Sequence, residues 1–583
     1  MHTQDGRRAA GRIEMALVGA VAGGMVWALI EKAPDIVTHP LAYLFVTSFV
    51  AGFFAVLLGL SGPHRVMRAA LPAFGLSFVG ACLITLSGLR FDTLAAFEDA
   101  GHPIIAWVIF LSVGTPFAAS LLRDRHSLRD YVHLFDVSWS ILVRYSAAWL
   151  FVGVFWAVLW LSDALLEIVG LTVIGDVMRV DSVAYVVTGI SLGFGLSVVH
   201  EMRDYLSPFL VLRLLRLLVP VVLLVVVVFV AAAVLQEPGA LFGDLSRAAT
   251  ILAVSLAMIS LVSIALDRGD ADAVQVGWMR LATAALAALL PVMSGLAIYA
   301  LWLRVHQYGW TPARLAAACA AAVVAVYALC YLVSVILGRG WMGRIRQANI
   351  GIAALVLVLA AAWQLPILNA ERISTDSQVA RIDAGEVTPD AAALWEMQHD
   401  WGRAGHAGLK TLEQGVAGER VEFAEAIAAV RVANTPWELT QKFNQDQGLE
   451  RATRLLEGLT VIADGADIHP KMMRKWSKYS LENWADICLE TEEPGCVMVL
   501  GDFNPVRAGR EGFLFIGAKN GNFDIHNVFE IGEFLAMDAY RKPSGSQQVT
   551  RDQVADIVEG RFEIAPGSHR SLWIGEFELV PNF

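Results

Sequence analysis

Charge is scarce in this chain. Asp, Glu, Lys and Arg make up only 17% of its 583 residues, against 56% apolar residues and a mean hydropathy of +0.56. That shortage excludes a disordered chain and a wholly water-soluble enzyme of ordinary composition. Cysteine is also rare, at five residues, and Cys82, Cys319 and Cys330 lie in apolar runs where a thiol behaves as a small hydrophobe. Basic stripes are missing and the net charge is −11, which argues against a nucleic-acid partner. Catalytic signatures are missing too. "HEMRD" at His200–Asp204 begins like a zinc-protease motif, but Asp204 stands where the second histidine ligand is needed. The serines of "GSQ" and "GSHRS" belong to no nucleophile elbow and no Ser-x-x-Lys arrangement. No cofactor, metal site or catalytic residue is expected.

What is present is divided unevenly. Residues 1–366 carry 23 Lys and Arg with 21 Asp and Glu, whereas residues 367–583 carry 21 and 34. The first part is about 12% charged and the second about 25%, the latter normal for a soluble domain. A helix that crosses the ~30 Å hydrocarbon core needs ~20 mostly apolar residues. Eleven runs qualify: 13–30, 41–60, 70–89, 103–122, 138–162, 183–199, 214–235, 247–266, 281–303, 312–337 and 347–366. The run at 138–162 is overlong, and the semi-polar stretch at 163–182 is placed to dip into the membrane. The expected fold is therefore a membrane all-α bundle of eleven transmembrane helices (1–366) followed by a soluble α+β domain (367–583). Arg7, Arg8 and Arg12 precede the first run with no cleavage site after it, so it reads as an uncleaved anchor.

Orientation follows from short-loop Lys and Arg. The N-terminal tail and the even-numbered loops hold sixteen, and the alternate loops hold six. This bias puts the N-terminus in the cytoplasm, and eleven crossings then put the C-terminal domain on the other side, the periplasm of a bacterium. Within the bundle, Arg144 reads as a snorkelling arginine near the cytoplasmic surface. Gly19–Gly23 and Gly189–Gly193 read as small-xxx-small helix-packing patterns.

Between the ninth and tenth runs the chain reads Arg304-Val-His-Gln307-Tyr308-Gly309-Trp-Thr311-Pro312-Ala-Arg314. Thr311 is placed as an N-cap and Pro312 as the first helical residue. Arg304, Gln307, Tyr308 and Arg314 form the first candidate site. They combine two cations and hydrogen-bonding groups with a helix N-terminus, which favours anions such as lipid head groups. This loop resembles the "R-x-x-Q-Y-G-x-T-P-x-R" segment of a bacterial multi-pass family known only as a domain of unknown function, numbered four-one-five-three. Val143–Leu171 resembles the central spans of the same family, and Ile373–Val387 its juxtamembrane helix. The resemblance runs from about residue 10 to about residue 415. It implies a bacterial inner-membrane protein and carries over no catalytic residue.

Beyond residue 367, helices are expected to about residue 465 and strands mainly from about residue 496. Helices are expected at 373–384, after Thr388-Pro389, at Glu419–Ala433, at Leu449–Ala463 and at Arg551–Glu559. "CVMVLGDF", "GFLFIGA", "FDIHNVFEI" and "SLWIGEFELV" read as strands. Asp502 and Asn504 begin like a calcium loop, but Pro505, Val506 and Arg507 leave too few ligands and make it a turn. His399, Asp400 and His406 read as a solvated helix surface. In an oxidising compartment, Cys488 and Cys496 are placed to form a disulfide across the Pro494-Gly495 turn. The leading functional expectation is a non-enzymatic membrane protein with an interaction, scaffold or sensing domain, whose partners are the bilayer, anionic lipid or envelope proteins. A transporter or flippase for a small or lipid-linked solute is the alternative. A membrane-embedded enzyme acting on lipid-linked substrates is the third.

Overall fold

The computed structural model describes residues 2–61, 66–123, 125–201, 208–235, 245–415, 421–463, 468–490, 495–503, 509–517, 523–539, 549–565, 571–574 and 577–579. Asp204, Pro494, Asn504–Arg507 and most of the "GSQ" and "GSHRS" segments lie outside them. The contacts divide the chain into two compact units, 1–427 and 428–583.

Among the described residues the first unit holds eleven helices that are long and apolar enough to cross a membrane: Ala10–Glu31, Pro40–Leu60, Val66–Gly88, His102–Leu121, Tyr131–Ile168, Asp181–Glu201, Val211–Ala233, Ala248–Leu266, Gly277–Tyr308, Pro312–Ile336 and Trp341–Gln364. They are called spans one to eleven. Span five has 38 residues, or about 57 Å of helix. It starts earlier than its apolar run because Asp130 caps it, accepting the amide of Val132 at 3.1 Å. It also continues past Asp163, whose carboxylate accepts the amide of Gly175 at 2.8 Å, within the short helix Val173–Met178 that follows.

Spans one and six touch backbone to backbone. A Cβ built on Gly19 would lie 2.0 Å from the carbonyl oxygen of Gly189, and one on Gly193 would lie 2.1 Å from that of Met15. The two small-xxx-small patterns are thus the two halves of one interface. Arg144 does not snorkel. It is 4% exposed and donates to the carbonyls of Leu58 (3.3 Å) and Ser61 (2.6 Å), closing the C-terminal end of span two. The helix end attracts it because the unpaired carbonyls there carry partial negative charge.

Polar contacts sort the connections into two sets. On one side, Arg12 pairs with Glu201, and Arg216 with Asp267. Arg346 donates to the carbonyls of Leu266 (2.7 Å) and Asp267 (3.2 Å) and to Asp270 (2.7 Å). These groups flank the N-terminus and the loops after even-numbered spans. The connections after spans three, nine and eleven meet one another instead, through three helices that follow span eleven: α1 (Ala370–Asp383), α2 (Leu394–His399) and α3 (Gly402–Gly415). Thr388-Pro389 opens a turn rather than a helix, with Ala391 N donating to Thr388 O at 3.1 Å, and α2 begins only at Leu394.

Helix α4 (Val421–Val432) crosses the boundary between the units. In the second unit, α5 (Pro436–Glu457) takes the Thr-Pro start, with Thr435 accepting from Glu438 N at 3.2 Å. The expected helix at Leu449–Ala463 stops at Glu457, and Thr460–Ala463 becomes strand β1. After β1 come α6 (Lys478–Glu490), β2 (Cys496–Gly501), β3 (Glu511–Gly517), β4 (Phe523–Ile531) and β5 (Phe534–Ala539). β1 pairs parallel to β2, which needs the α6 crossover, and β2 to β5 form an antiparallel meander. Residues of β2 alternate between two cores: Cys496, Met498 and Leu500 join α5 and α6, while Val497 and Val499 face helix α7 (Arg551–Val558). Strands β6 (Glu563–Ala565), β7 (Ser571–Ile574) and β8 (Phe577–Leu579) form a second, three-stranded sheet. Cys488 at the end of α6 and Cys496 at the start of β2 are joined as a disulfide, with Cα atoms 5.3 Å apart. Membrane helices followed by an α+β unit are the architecture expected from the sequence. β1, β5 and β6 are additions, and the run SLWIGEFELV divides into the paired strands β7 and β8, because strands of three to six residues carry too little periodicity to stand out.

Candidate functional site

Buried polar side chains outside the spans gather where α1 meets the bundle, with Glu371, Ser374, Thr375 and Gln378 among them. Asn369 caps α1 by accepting the amide of Arg372 at 2.9 Å, which places Glu371 in the first turn, fully buried. Arg90 donates to Glu371 Oε2 at 3.3 Å and, through Nη2, to the carbonyls of Trp363 (2.8 Å) and Leu365 (2.7 Å). One guanidinium thus neutralises a carboxylate and caps the end of span eleven. His102 Nε2 lies 3.3 Å from Glu371 Oε1, and its Nδ1 faces the indole N–H of Trp363 at 3.0 Å. With Nδ1 accepting, the ring proton sits on Nε2 and points at the carboxylate. Burial pushes the Glu371 carboxyl up, but the His102 hydrogen bond and the Arg90 charge outweigh it and hold the group below the usual range. Burial lowers the Arg90 guanidinium despite the same pairing.

Two turns along α1, the helix meets the loop between spans nine and ten. Gln378 Nε2 donates to the carbonyls of Tyr308 (2.9 Å) and Trp310 (3.1 Å), and Arg381 donates to Gln307 O at 2.7 Å. The amide of Trp310 donates to Ser377 Oγ at 3.1 Å. The approach requires Gly309, which has φ +69°, and whose Cβ would sit 2.7 Å from Gln378 Nε2. Thr311 caps span ten, accepting from Arg314 N at 3.3 Å, and Pro312 follows at the first helical position. Arg314 donates to the carbonyls of Tyr308 (3.1 Å) and Gly309 (2.8 Å), while Arg304 and Arg314 lie over the Tyr308 ring at 5.4 and 5.5 Å.

The structure therefore brings Arg304, Gln307, Tyr308 and Arg314 together around one turn. Much of that turn's hydrogen bonding serves its own backbone and α1. The side chains that α1 presents to the turn are Ser377, Gln378 and Arg381, none of them acidic. Cys488 and Cys496 are brought together in the second unit. His399 and His406 are not: His399 Nδ1 lies 3.2 Å from Trp395 O, while His406 pairs with Asp92 at 2.9 Å. Among the described residues no group of three or more His, Cys, Asp or Glu is placed to hold a metal ion. Sequence reasoning missed Arg90, His102, Trp363 and Glu371. The signal available was a carboxylate just past the last span and an arginine in a loop that was otherwise poor in them.

A family model described as "Domain of unknown function (DUF4153)" matches residues 54–400, more than half of the chain. The chain belongs to this family. The DUF4153 match covers spans three to eleven in full, the Arg304–Arg314 loop, α1 and α2. It ends before the second compact unit begins. No curated protein and no solved structure matches the chain.

Proposed function

We propose that this DUF4153 protein is a non-enzymatic scaffold or sensor of a bacterial inner membrane, with its N-terminus in the cytoplasm and the unit after α4 in the periplasm, acting on envelope partners through that unit. The observation that carries this reading is the Glu371 junction. A buried carboxylate, hydrogen-bonded by Arg90 and faced by His102 at 3.3 Å, ties α1 to the ends of spans four and eleven, so the helix that follows the last span is anchored on the bundle. The Cys488–Cys496 pair favours an oxidising compartment for the second unit, and the sixteen-to-six bias of Lys and Arg favours the same side.

Alkaline phosphatase fused after Phe583 is expected to be active, and activity only of a cytoplasmic reporter there would sink the orientation. For the role, intact cells are crosslinked and the full chain is compared with a chain ending at Ile427. The scaffold reading expects envelope proteins to be held by the first and lost from the second. Solute flux in proteoliposomes that survives the truncation would replace this reading with a transporter.

A second reading concerns the Arg304–Arg314 turn. Arg304, Arg314 and Arg381 gather there, and Arg381 pairs with Glu386 at 3.4 Å. The positive surplus favours an anionic lipid head group as the partner of this turn. Replacing Arg304 and Arg314 together by Gln is expected to leave insertion intact and lower the anionic lipid that co-purifies. Unchanged lipid content would leave the turn with its structural role alone.

A further inference from the structure

A cavity of about 660 Å³ lies among spans two, four, five, eight, ten and eleven. Its walls are mostly apolar, with Val56, Leu111, Phe117, Phe135, Ile141 and Ile350 among them. Close-packed interiors hold few voids larger than a water molecule, and volumes of roughly 300–1,000 Å³ are those of ligand pockets. Apolar walls of this kind do not retain water well. Leu142 both lines the cavity and is 53% exposed on the outer face of span five, so one wall borders the region that lipid occupies.

The opposite part of the lining is polar and uncharged. Tyr331 donates to Asn349 Oδ1 at 2.8 Å, Asn349 Nδ2 donates to Ser263 Oγ at 3.1 Å, and Ser263 Oγ lies 3.1 Å from the Tyr331 hydroxyl. This closed triangle orients Asn349, whose amide also hydrogen-bonds the Tyr131 oxygen and so leaves the Tyr131 O–H to donate. Tyr327, edge-on to Tyr331 at 5.7 Å, and Tyr131 add two phenols to the same lining. No Asp, Glu, Lys or Arg lines the cavity among the described residues. Its complement is a hydrocarbon tail ending in a neutral hydrogen-bond acceptor.

We infer that this cavity binds a membrane amphiphile by its tail and one carbonyl oxygen, the tail along spans two, four and five and the carbonyl at Tyr131, Tyr327 and Asn349. That chemistry belongs both to the acyl ester of a phospholipid and to an isoprenoid quinone. The inference does not depend on the compartment or the role proposed above.

The test uses the purified full chain in nanodiscs of phosphatidylethanolamine and phosphatidylglycerol. Three photoreactive probes are compared: a diazirine-acyl phosphatidylethanolamine, an azidoquinone, and a diazirine alkane without a carbonyl. Crosslinks are expected to concentrate on peptides spanning residues 131–145 and 349–353, and the stronger of the two carbonyl probes identifies the source. Ala353→Trp, which fills the cavity, is expected to abolish that enrichment, and Leu329→Trp on the exposed face of span ten is not. Tyr327→Phe removes one hydroxyl with little change of shape. It is expected to weaken the carbonyl probe by about tenfold while leaving the alkane unchanged. Labelling spread evenly over the lipid-facing surface, or enrichment that persists in Ala353→Trp, would overturn the inference. Equal loss of alkane and carbonyl probes in Tyr327→Phe would overturn the placement of the carbonyl.

Discussion

Glu371 has no water to fall back on, so its protonation state decides how well α1 is held. A carboxyl whose folded pKa is depressed adds stability that is fully present above its unfolded value, about 4.3, and is lost as pH falls through the folded value. The protection of α1 amides, corrected for the intrinsic exchange rate at each pH, is therefore expected to stay constant from neutral pH down to about pH 5 and to fall only in the acid range below about 4.3. Protection that already falls near neutral pH would point to another group. Glu371→Gln leaves Arg90 with two carbonyls but no counter-charge. Breaking a buried pair in this way costs about 3–5 kcal/mol, so α1 amides are expected to exchange freely at every pH. Gly309→Ala acts on the same helix from the other end. It places a Cβ at positive φ and against Gln378, and is expected to raise α1 exchange while leaving the spans in place.

At the scale of elements, spans one and six depend on glycine for a different reason. Their glycines have ordinary helical backbones; what matters is that nothing projects between two helices in contact. Gly19→Leu or Gly189→Leu is expected to separate the pair and lower the aggregation temperature of the purified protein. Gly153→Leu in span five, which has open space around its Cβ position, is expected to leave that temperature unchanged. Equal effects at all three positions would mean that the substitutions act through insertion and not through the interface. The length of span five belongs to this scale too. An apolar window stops at the first charges, whereas a helix stops where its hydrogen bonds end. Asp130 caps the first end, and Asp163, inside the helix, accepts the amide of Gly175 without ending it.

For the whole molecule, the useful question is where to cut. Charge content changes at about residue 366, but the first compact unit extends to Ile427. Helices α1 to α3 have the composition of a soluble domain and still pack with the bundle, for example where Arg403 N donates to Arg90 O at 2.9 Å. Residues 428–583 are expected to express as a monomer with one cooperative melt, and reducing the Cys488–Cys496 link is expected to lower its midpoint. The longer fragment 367–583 is expected to associate, because Ala370 would lose the Ala106 and Trp363 packing that buries it and Glu371 would lose Arg90 and His102. A well-behaved 367–583 together with an unfolded 428–583 would move the boundary back to the end of span eleven.

Much was legible in the sequence because hydropathy and turn chemistry are local. About 20 neighbouring residues decide whether a segment can cross a bilayer. Eleven spans, the Thr311-Pro312 helix start and the long strands of the second unit follow from such windows. What the tertiary structure alone decided are pairings over long distances in the chain. Arg90 and Glu371 stand 281 residues apart. Gly19 finds Gly189, and the Arg304–Arg314 loop finds Gln378 in a helix that reads as part of the next domain. No local window encodes such partners. They are set when apolar helices choose neighbours of the same solubility by shape, and the few buried polar groups then accept only the arrangement that satisfies them.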